Sequence, residues 1–324
     1  MPTRLALLAF AIVLSAAGPT LAESYPSRPI TMIVPWPAGG PTDTIARIVS
    51  ERMRLSLGQP IIIENIAGAG GTIGVARVAR AAPDGYTLII GDWNSHVLSG
   101  AAYTISYDLL TDFAPVGLLA SNPQLLLTKK EIPAKDLKTL IAWLKTNENK
   151  VTVGTGGPGS ASHVCGLYLQ NAIGARFQFV PYRGGAPLMQ DLMTGQIDLV
   201  CQQASNSLAL VRAGQIKAHA VAAGARLAAA PHIPTVDEAG LPGLHVAVWS
   251  GLWLPAGAST DVVARLHAAV TDSLADPNVR DRLIDLGLEI ATRERQTPEA
   301  LREFHASEIK KWWPMVKAAN IKID

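Results

Sequence analysis

The sequence predicts an α/β protein built on two doubly wound sheets. Three observations carry that prediction. Short β-rich runs alternate with stretches of helical period, the pattern of layered strands and helices. Several strand runs are apolar throughout instead of alternating, as strands covered on both faces of a parallel sheet are. The alternation forms two successive β-α-β sets, followed by a mostly helical C-terminal third.

Ile30–Val34 reads as the first strand. A Pro/Gly loop follows, then a helix from Thr42 with Ile45, Ile48, Val49 and Met53 on one face. Residues 61–63 are a second strand, and 86–90 a third after the turn Pro83-Asp84-Gly85. Residues 125–127 form a strand after Pro123, and 137–145 a helix with Asp136 near its start. The second set has strands at 151–153, 177–180, 197–201 and 217–222, with helices from about Ser160 and over 186–193. Val262, Val263, Leu266, Ala269, Val270 and Leu274 keep a helical period. That helical tail needs a sheet to pack on, and the first sheet is the available partner.

The 324 residues are long enough for two domains. Hydrophobic residues are 48% and charged residues 17%, enough apolar material for a packed core. A net charge of +2, from 28 basic and 26 acidic residues, gives no basic footprint for nucleic acid. Two cysteines are too few for a multi-cysteine metal site. No metal or cofactor is expected.

Residues 1–22 read as a secretory signal: Arg4, an apolar run over 5–17, the break Gly18-Pro19, then Thr20-Leu21-Ala22. The run is shorter than the roughly 20 residues that span a bilayer. Cleavage near Ala22 leaves a soluble, exported chain. Export sets Cys165 and Cys201 in an oxidising compartment, where a disulfide between them is expected. The alternative is two buried small hydrophobes.

Five polar or glycine-rich turns lie at carboxyl ends of the expected strands, the edge where open α/β sheets bind ligands. The first is Pro35-Trp36-Pro37-Ala38-Gly39-Gly40-Pro41-Thr42-Asp43, running into a helix start that favours an anion. Thr42 is the expected N-cap, and Asp43 can pair with Arg47. The second, Gly154 to His163, matches G-x-G-x-x-G but lacks the acid that would hold a ribose, and Pro158 removes an amide. A carboxylate on Gly157 and its neighbouring amides and on the Ser160 and Ser162 hydroxyls fits better than a dinucleotide. The others carry Tyr182, Arg183 and Gly184; Asp92, Asn94 and Ser95; and Gln203. Arg183 can hold a carboxylate bidentately or pair with a surface acid. No G-x-S-x-G elbow, Walker loop or H-E-x-x-H helix occurs, and His163 reads as a first-turn structural residue before a general base. The chain is therefore not expected to be an enzyme, an exported hydrolase being the weakest reading.

With these residues in view, the chain resembles the periplasmic solute-binding proteins of the tripartite tricarboxylate transporter family, the Bug or TctC proteins. The resemblance rests on Tyr25-Pro-Ser-Arg-Pro-Ile30, the Pro35–Asp43 loop with Ala46-Arg47, Glu64-Asn65 with the 68–74 loop, and Pro83-Asp-Gly-Tyr-Thr87. Asp112-Phe-Ala-Pro115, Gly159-Ser-Ala-Ser-His163, Pro181-Tyr-Arg-Gly184, Pro234-Thr-Val-Asp-Glu-Ala-Gly240, and Trp249 with Pro255 continue it. It covers essentially the whole mature chain.

The resemblance implies a type II-like Venus flytrap of two α/β lobes with an interlobe cleft. Residues 23–127 plus 243–324 would form domain one and 128–242 domain two. It implies a periplasmic monomer that binds a small carboxylate and delivers it to a permease with a large and a small subunit. A module feeding a sensor kinase is the alternative. It implies that the loop after the first strand and the start of the Ser160 helix grip the ligand, largely through backbone amides and water. Together with the other turns, the residues expected at the site are Trp36, Ala38, Gly39, Gly40, Thr42 and Asp43 with Asp92, Asn94 and Ser95 in domain one. In domain two they are Gly157, Ser160, Ser162, His163, Tyr182, Arg183, Gly184 and Gln203. Relatives often carry Asp-Gln after the position of Cys201, where this chain has Gln202-Gln203.

Overall fold

A computed structural model describes residues 25–318. The signal segment expected over 1–22 lies outside the described residues.

The first set of strands is β1 (Ile30–Val34), β2 (Ile61–Asn65) and β3 (Thr87–Asp92), parallel in the order β2-β1-β3. Helices α1 (Pro41–Leu57) and α2 (Thr72–Ala79) make the crossovers, and a short α3 (Ser99–Ala102) follows β3. After α4 (Leu137–Thr146), the second set repeats the arrangement. Strands β5 (Thr152–Thr155), β6 (Gln178–Pro181) and β7 (Leu199–Gln203) are parallel in the order β6-β5-β7, with crossovers α5 (Ala161–Ile173) and α6 (Gly185–Met193). These are the two expected β-α-β sets, one per lobe.

Antiparallel strands join the lobes. The 16-residue β4 (Phe113–Thr128) pairs over its first part with β9 (Ala247–Pro255), which also pairs with β3. Over its last part β4 pairs with β7 and with β8 (Lys217–Val221). A two-residue β10 (Glu289–Ile290) closes on Ala120 and Ser121. The strand expected only at 125–127 is thus the end of a much longer one. Pro115 and Pro123 made it look broken, because proline removes a ladder donor. In the structure Pro115 borders a register shift, and Pro123 pairs with the first residue of β9 where β4 passes between lobes. Pro115 thus falls at an irregularity of the ladder and Pro123 at its end.

Helices α8 (Thr260–Ala275) and α9 (Pro277–Asp285) pack on α1, and α8 also on β4, so the C-terminal helices rest on the first sheet as expected. Helix α10 (Pro298–Ala318) lies along β4 and the π-type turn at 94–98. It fixes that turn through three contacts. Trp312 meets Trp93 edge to face at 4.8 Å. Trp313 Nε1 donates to Val97 O at 2.8 Å, and His305 Nε2 to His96 O at 2.6 Å. The His96 ring stacks on Trp253 at 4.2 Å. A Cβ on Gly91 would collide with that ring, so β3 can pass there only as glycine.

One apolar cluster runs through both lobes on a common face, from Ile33 and Trp93 through Leu126 to Val153 and Leu169. Each lobe has its own cluster on the other face, centred on Ile45, Val49 and Leu266 in one and Leu188, Val200 and Leu208 in the other. Within the second lobe, Cys165 of α5 and Cys201 of β7 are disulfide-bonded, both fully buried, with Cα atoms 6.1 Å apart.

Candidate functional site

The carboxyl ends of β1 and β3 in the first lobe, and of β5, β6 and β7 in the second, carry the segments singled out in the sequence. In the first lobe the chain leaves β1 at Val34 and enters α1 at Pro41. Gly40 is the N-cap, with extended backbone and no side-chain cap bond; Pro41 sits in the first turn. The expectation that Thr42 caps this helix is therefore corrected. Thr42 lies inside the first turn, buried, and its hydroxyl donates to Asp92 Oδ2 at 2.8 Å.

Asp43 braces the loop. Its buried carboxylate accepts from Gly39 N at 2.8 Å, Asn65 Nδ2 at 2.9 Å, and Arg47 Nε and Nη2 at 2.8 and 3.0 Å. Asn65 also donates to Trp36 O at 3.0 Å, tying the loop to the end of β2. Burial alone would raise the Asp43 pKa; the Arg47, Gly39 and Asn65 hydrogen bonds win and hold it below the usual carboxylate range. Gly39 has φ +78°, and a Cβ there would meet only open space. Ala38 and Gly39 are exposed and Trp36 is half-buried.

Asp92 and Ser95 are interior residues. Asp92 Oδ1 accepts from Ser95 N at 2.9 Å and Ser95 Oγ at 3.1 Å. Burial pushes the Asp92 carboxyl up in pKa, against the lowering by Ser95 and Thr42. Thr42, Asp92 and Ser95 were expected to contact ligand. The structure spends their side-chain polar atoms on one another, so they bind the β1 loop to the β3 turn. Asn94 is different. It is half-buried, and its Oδ1 accepts from Ala161 N at 3.1 Å, in the other lobe.

The second-lobe loop satisfies most of its own amides. Gly156 N donates to Ser162 Oγ at 2.8 Å, Gly157 N to Thr155 Oγ1 at 3.3 Å, and Gly159 N to His163 Nδ1 at 3.1 Å. Ser160 is the N-cap of α5, accepting from His163 N and donating to Gly157 O at 2.7 Å. Its Oγ lies 3.1 Å from Ser162 Oγ. Because His163 Nδ1 accepts, its proton sits on Nε2 and the ring is neutral; burial lowers its pKa. His163, expected among the ligand contacts, here braces its own loop through Gly159 N, and its ring makes no bond to a serine hydroxyl among the described residues. The free-cradle expectation narrows accordingly: with Ala161 taken by Asn94, the Ser162 amide is the first-turn donor left without a protein acceptor among the described residues.

Tyr182 was expected to contact ligand, but its hydroxyl donates to Asp191 Oδ2 at 2.7 Å. Burial and that bond push it up to about 12. Arg183 and Gly184 are exposed, and Arg183 has no ion pair among the described residues. The Gln203 carboxamide has no protein partner among the described residues, while its backbone starts α7 (Ala204–Arg212). Sequence reading missed Asn122, whose side chain pairs with Ser205 through Nδ2···Oγ at 2.7 Å where β4 crosses between lobes. A polar interruption, Ser121-Asn122 with Gln124, inside the mostly apolar 113–128 run was the available signal. It also missed Asn65 as the partner of Asp43.

Four helix N-termini, those of α1, α5, α6 and α7, follow the carboxyl ends of β1, β5, β6 and β7, so first-turn donors lie at the carboxyl edge of each lobe's sheet, and the two edges face each other where β4 crosses. Among the described residues no group of three His, Cys, Asp or Glu is placed to hold a metal ion. Cavities of about 410 and 360 Å³ lie elsewhere, one beside α2 and the other between residues 225–228 and the α9–β10 segment. The site is identified by its donor geometry and not by cavity size.

A family model described as the tripartite tricarboxylate transporter family receptor matches residues 45–321. Among solved structures, MatC from Rhodopseudomonas palustris, with bound malate, is 41% identical with a TM-score of 0.82, covering 90% of this chain and all of that one. Periplasmic binding protein BugD is 37% identical with a TM-score of 0.83, over 92% of this chain and all of that one. R. palustris Rpa4515, with adipate, is 32% identical with a TM-score of 0.85, again over 92% of this chain and all of that one.

Proposed function

The chain belongs to the tripartite tricarboxylate transporter family of periplasmic solute-binding receptors, and on that premise we propose that it captures a small carboxylate between its two lobes for uptake. The observation that carries the proposal is the placement of helix N-termini at the facing carboxyl edges of both lobes. Such ends present N–H donors and partial positive charge, which suit an anion. Ligands of that class occupy two similar proteins, malate in MatC and adipate in Rpa4515.

The direct contacts in this reading are the Thr42 and Asp43 amides, the Ser162 amide, Arg183, and the carboxamides of Asn94 and Gln203. Trp36 and the exposed backbone of Ala38, Gly39, Gly157 and Gly184 border the ligand. Asp43, Asp92, Ser95, Ser160 and His163 hold the loops in place. The lobes are 23–127 plus 243–324 and 128–242, a division supported by β4 passing between the sheets near Pro123 and by β9 returning at Ala247. The partner is a permease with a large and a small subunit, and the working form is a monomer cleaved after Ala22.

A thermal-shift panel of aliphatic and aromatic carboxylates, amino acids, sugars and nucleotides tests this. At a thousandfold excess over Kd a ligand adds about 4 kcal/mol, on the order of 10 °C for a protein of this size. A response confined to sugars or nucleotides would overturn the carboxylate reading.

A further inference from the structure

Asn94 opens the turn that leaves β3 in the first lobe, and Ala161 opens α5 in the second. The 3.1 Å bond from Ala161 N to Asn94 Oδ1 joins them loop to loop. Among the described residues, the other side-chain hydrogen bonds between the lobes are those of Asn122 with Ser205 and, where the chain returns to the first lobe, those of Asp237 with Gly243 N and His245. Asn122 lies on β4 itself, so that pair moves with the crossing strand. Asn94 reaches from one lobe's binding edge to the other's.

Two features make this bond more than a chance approach. The arm that carries Asn94 is stiff: Trp93 packs on Trp312, Val97 O accepts from Trp313, His96 O accepts from His305, and Ser95 is bound to Asp92. The receiving end is equally defined, because Ser160 caps α5 and the neighbouring amides of Gly156, Gly157 and Gly159 have partners within their own lobe. Ala161 is the amide that the second lobe leaves for the first to satisfy. Only the oxygen of a carboxamide accepts from N–H, so the orientation of Asn94 is fixed. Its neutral oxygen meets the positive end of α5 without putting a negative charge where an anion must enter.

We infer that Asn94 is an interlobe positioning residue that caps α5 from the opposite lobe and holds the two binding edges in register before ligand arrives. This deepens the solute-binding reading and rests on it. A ligand then meets lobes already brought together, and the apparent affinity rises with the fraction so prepared.

The test needs no ligand. The mature chain, with its disulfide intact, is freed of co-purified solute by unfolding and refolding without reductant. Spin labels at Arg54→Cys and Lys145→Cys, exposed positions in different lobes, report the interlobe distance. Asn94→Ala should lower the ratio of compact to open molecules roughly fivefold, the worth of one neutral hydrogen bond. Ala161→Pro removes the donor without touching Asn94, at a first helical position where proline is tolerated, and should open the lobes equally. The double variant should open them no further. Asn94→Asp keeps an acceptor and should stay compact. An unchanged distance distribution in Asn94→Ala, or opening by Asn94→Asp as full as by Asn94→Ala, overturns the inference. Because no solute is present, neither outcome depends on the carboxylate reading, which the thermal-shift panel decides separately.

Discussion

The two lobes make the same turn, from a strand end into a helix start, with opposite chemistry. The first lobe braces its loops with buried carboxylates, Asp43 and Asp92. The second uses neutral acceptors, Ser160, Ser162, Thr155 and the unprotonated ring of His163, and adds a disulfide beneath them. A carboxylate accepts several donors at once, so Asp43 alone can collect Gly39, Asn65 and Arg47. Hydroxyls and imidazole hold fewer, so the second loop needs a chain of them. The difference teaches that the first loop stands on single residues, whereas the second shares its support.

Changes to the covalent tie should have the largest effect. Replacing Cys165 and Cys201 with Ala should cost the second lobe about 4 kcal/mol, on the chain-entropy model for a closed loop of this length. Thiol titration of the unreduced, unfolded parent should find none. Two reactive thiols would remove the covalent half of the contrast.

Next is Asp43→Ala, which strips three partners at once. A loss of about 2–3 kcal/mol is expected in urea unfolding, allowing for the exposed Arg47 end of the pair. A change below about 0.5 kcal/mol would show the first loop to be held elsewhere.

Gly39→Val should cost about 1–2 kcal/mol through its positive φ, since no neighbour blocks the side chain. It should also abolish ligand binding if the first loop grips ligand. Ser160→Ala, the corresponding change in the second lobe, removes an N-cap worth about 1 kcal/mol and should weaken binding less. Equal losses from Asp43→Ala and Ser160→Ala would erase the contrast between single and shared support.

The smallest effect is the pH response, and it separates the two loops by pH window. His163 has a lowered pKa, so its contribution is present above the unfolded value of about 6.5 and is lost as pH falls through the folded value. Asp43, also lowered, contributes above about 3.9 and loses that contribution only as pH falls through its own folded value. Asp92 is raised, so acidification through its folded pKa adds stability. Amide exchange should therefore quicken at Gly159 as pH falls below the ordinary imidazole range while Gly39 stays protected. Equal change at both would contradict the assignment.

Much of the fold was legible because its signals are local. Ile30–Val34 is apolar but for Thr31, the 61–63 run is apolar throughout, and Asp136 and Ser160 proved to be N-caps. Strand β9 was missed because Ser250 and Gly251 interrupt its apolar run, and β4 because Pro115 and Pro123 imitate strand ends. The loops of the site were legible for the same local reason: glycine, proline and hydroxyl residues at strand ends. Which side chains face a ligand and which face one another was not. Thr42 finds Asp92 fifty residues on, and Tyr182 turns to Asp191. Only the folded chain sets those distances.

The central claim is that one anion is held by backbone donors from both lobes. A crystal structure with the carboxylate that gives the largest thermal shift tests it most directly. Ligand oxygens are expected within hydrogen-bond distance of the Thr42 or Asp43 amide on one side and the Ser162 amide on the other. A carboxylate bound wholly within one lobe, or in the cavity beside α2 that Arg77 and Arg80 line, would contradict it.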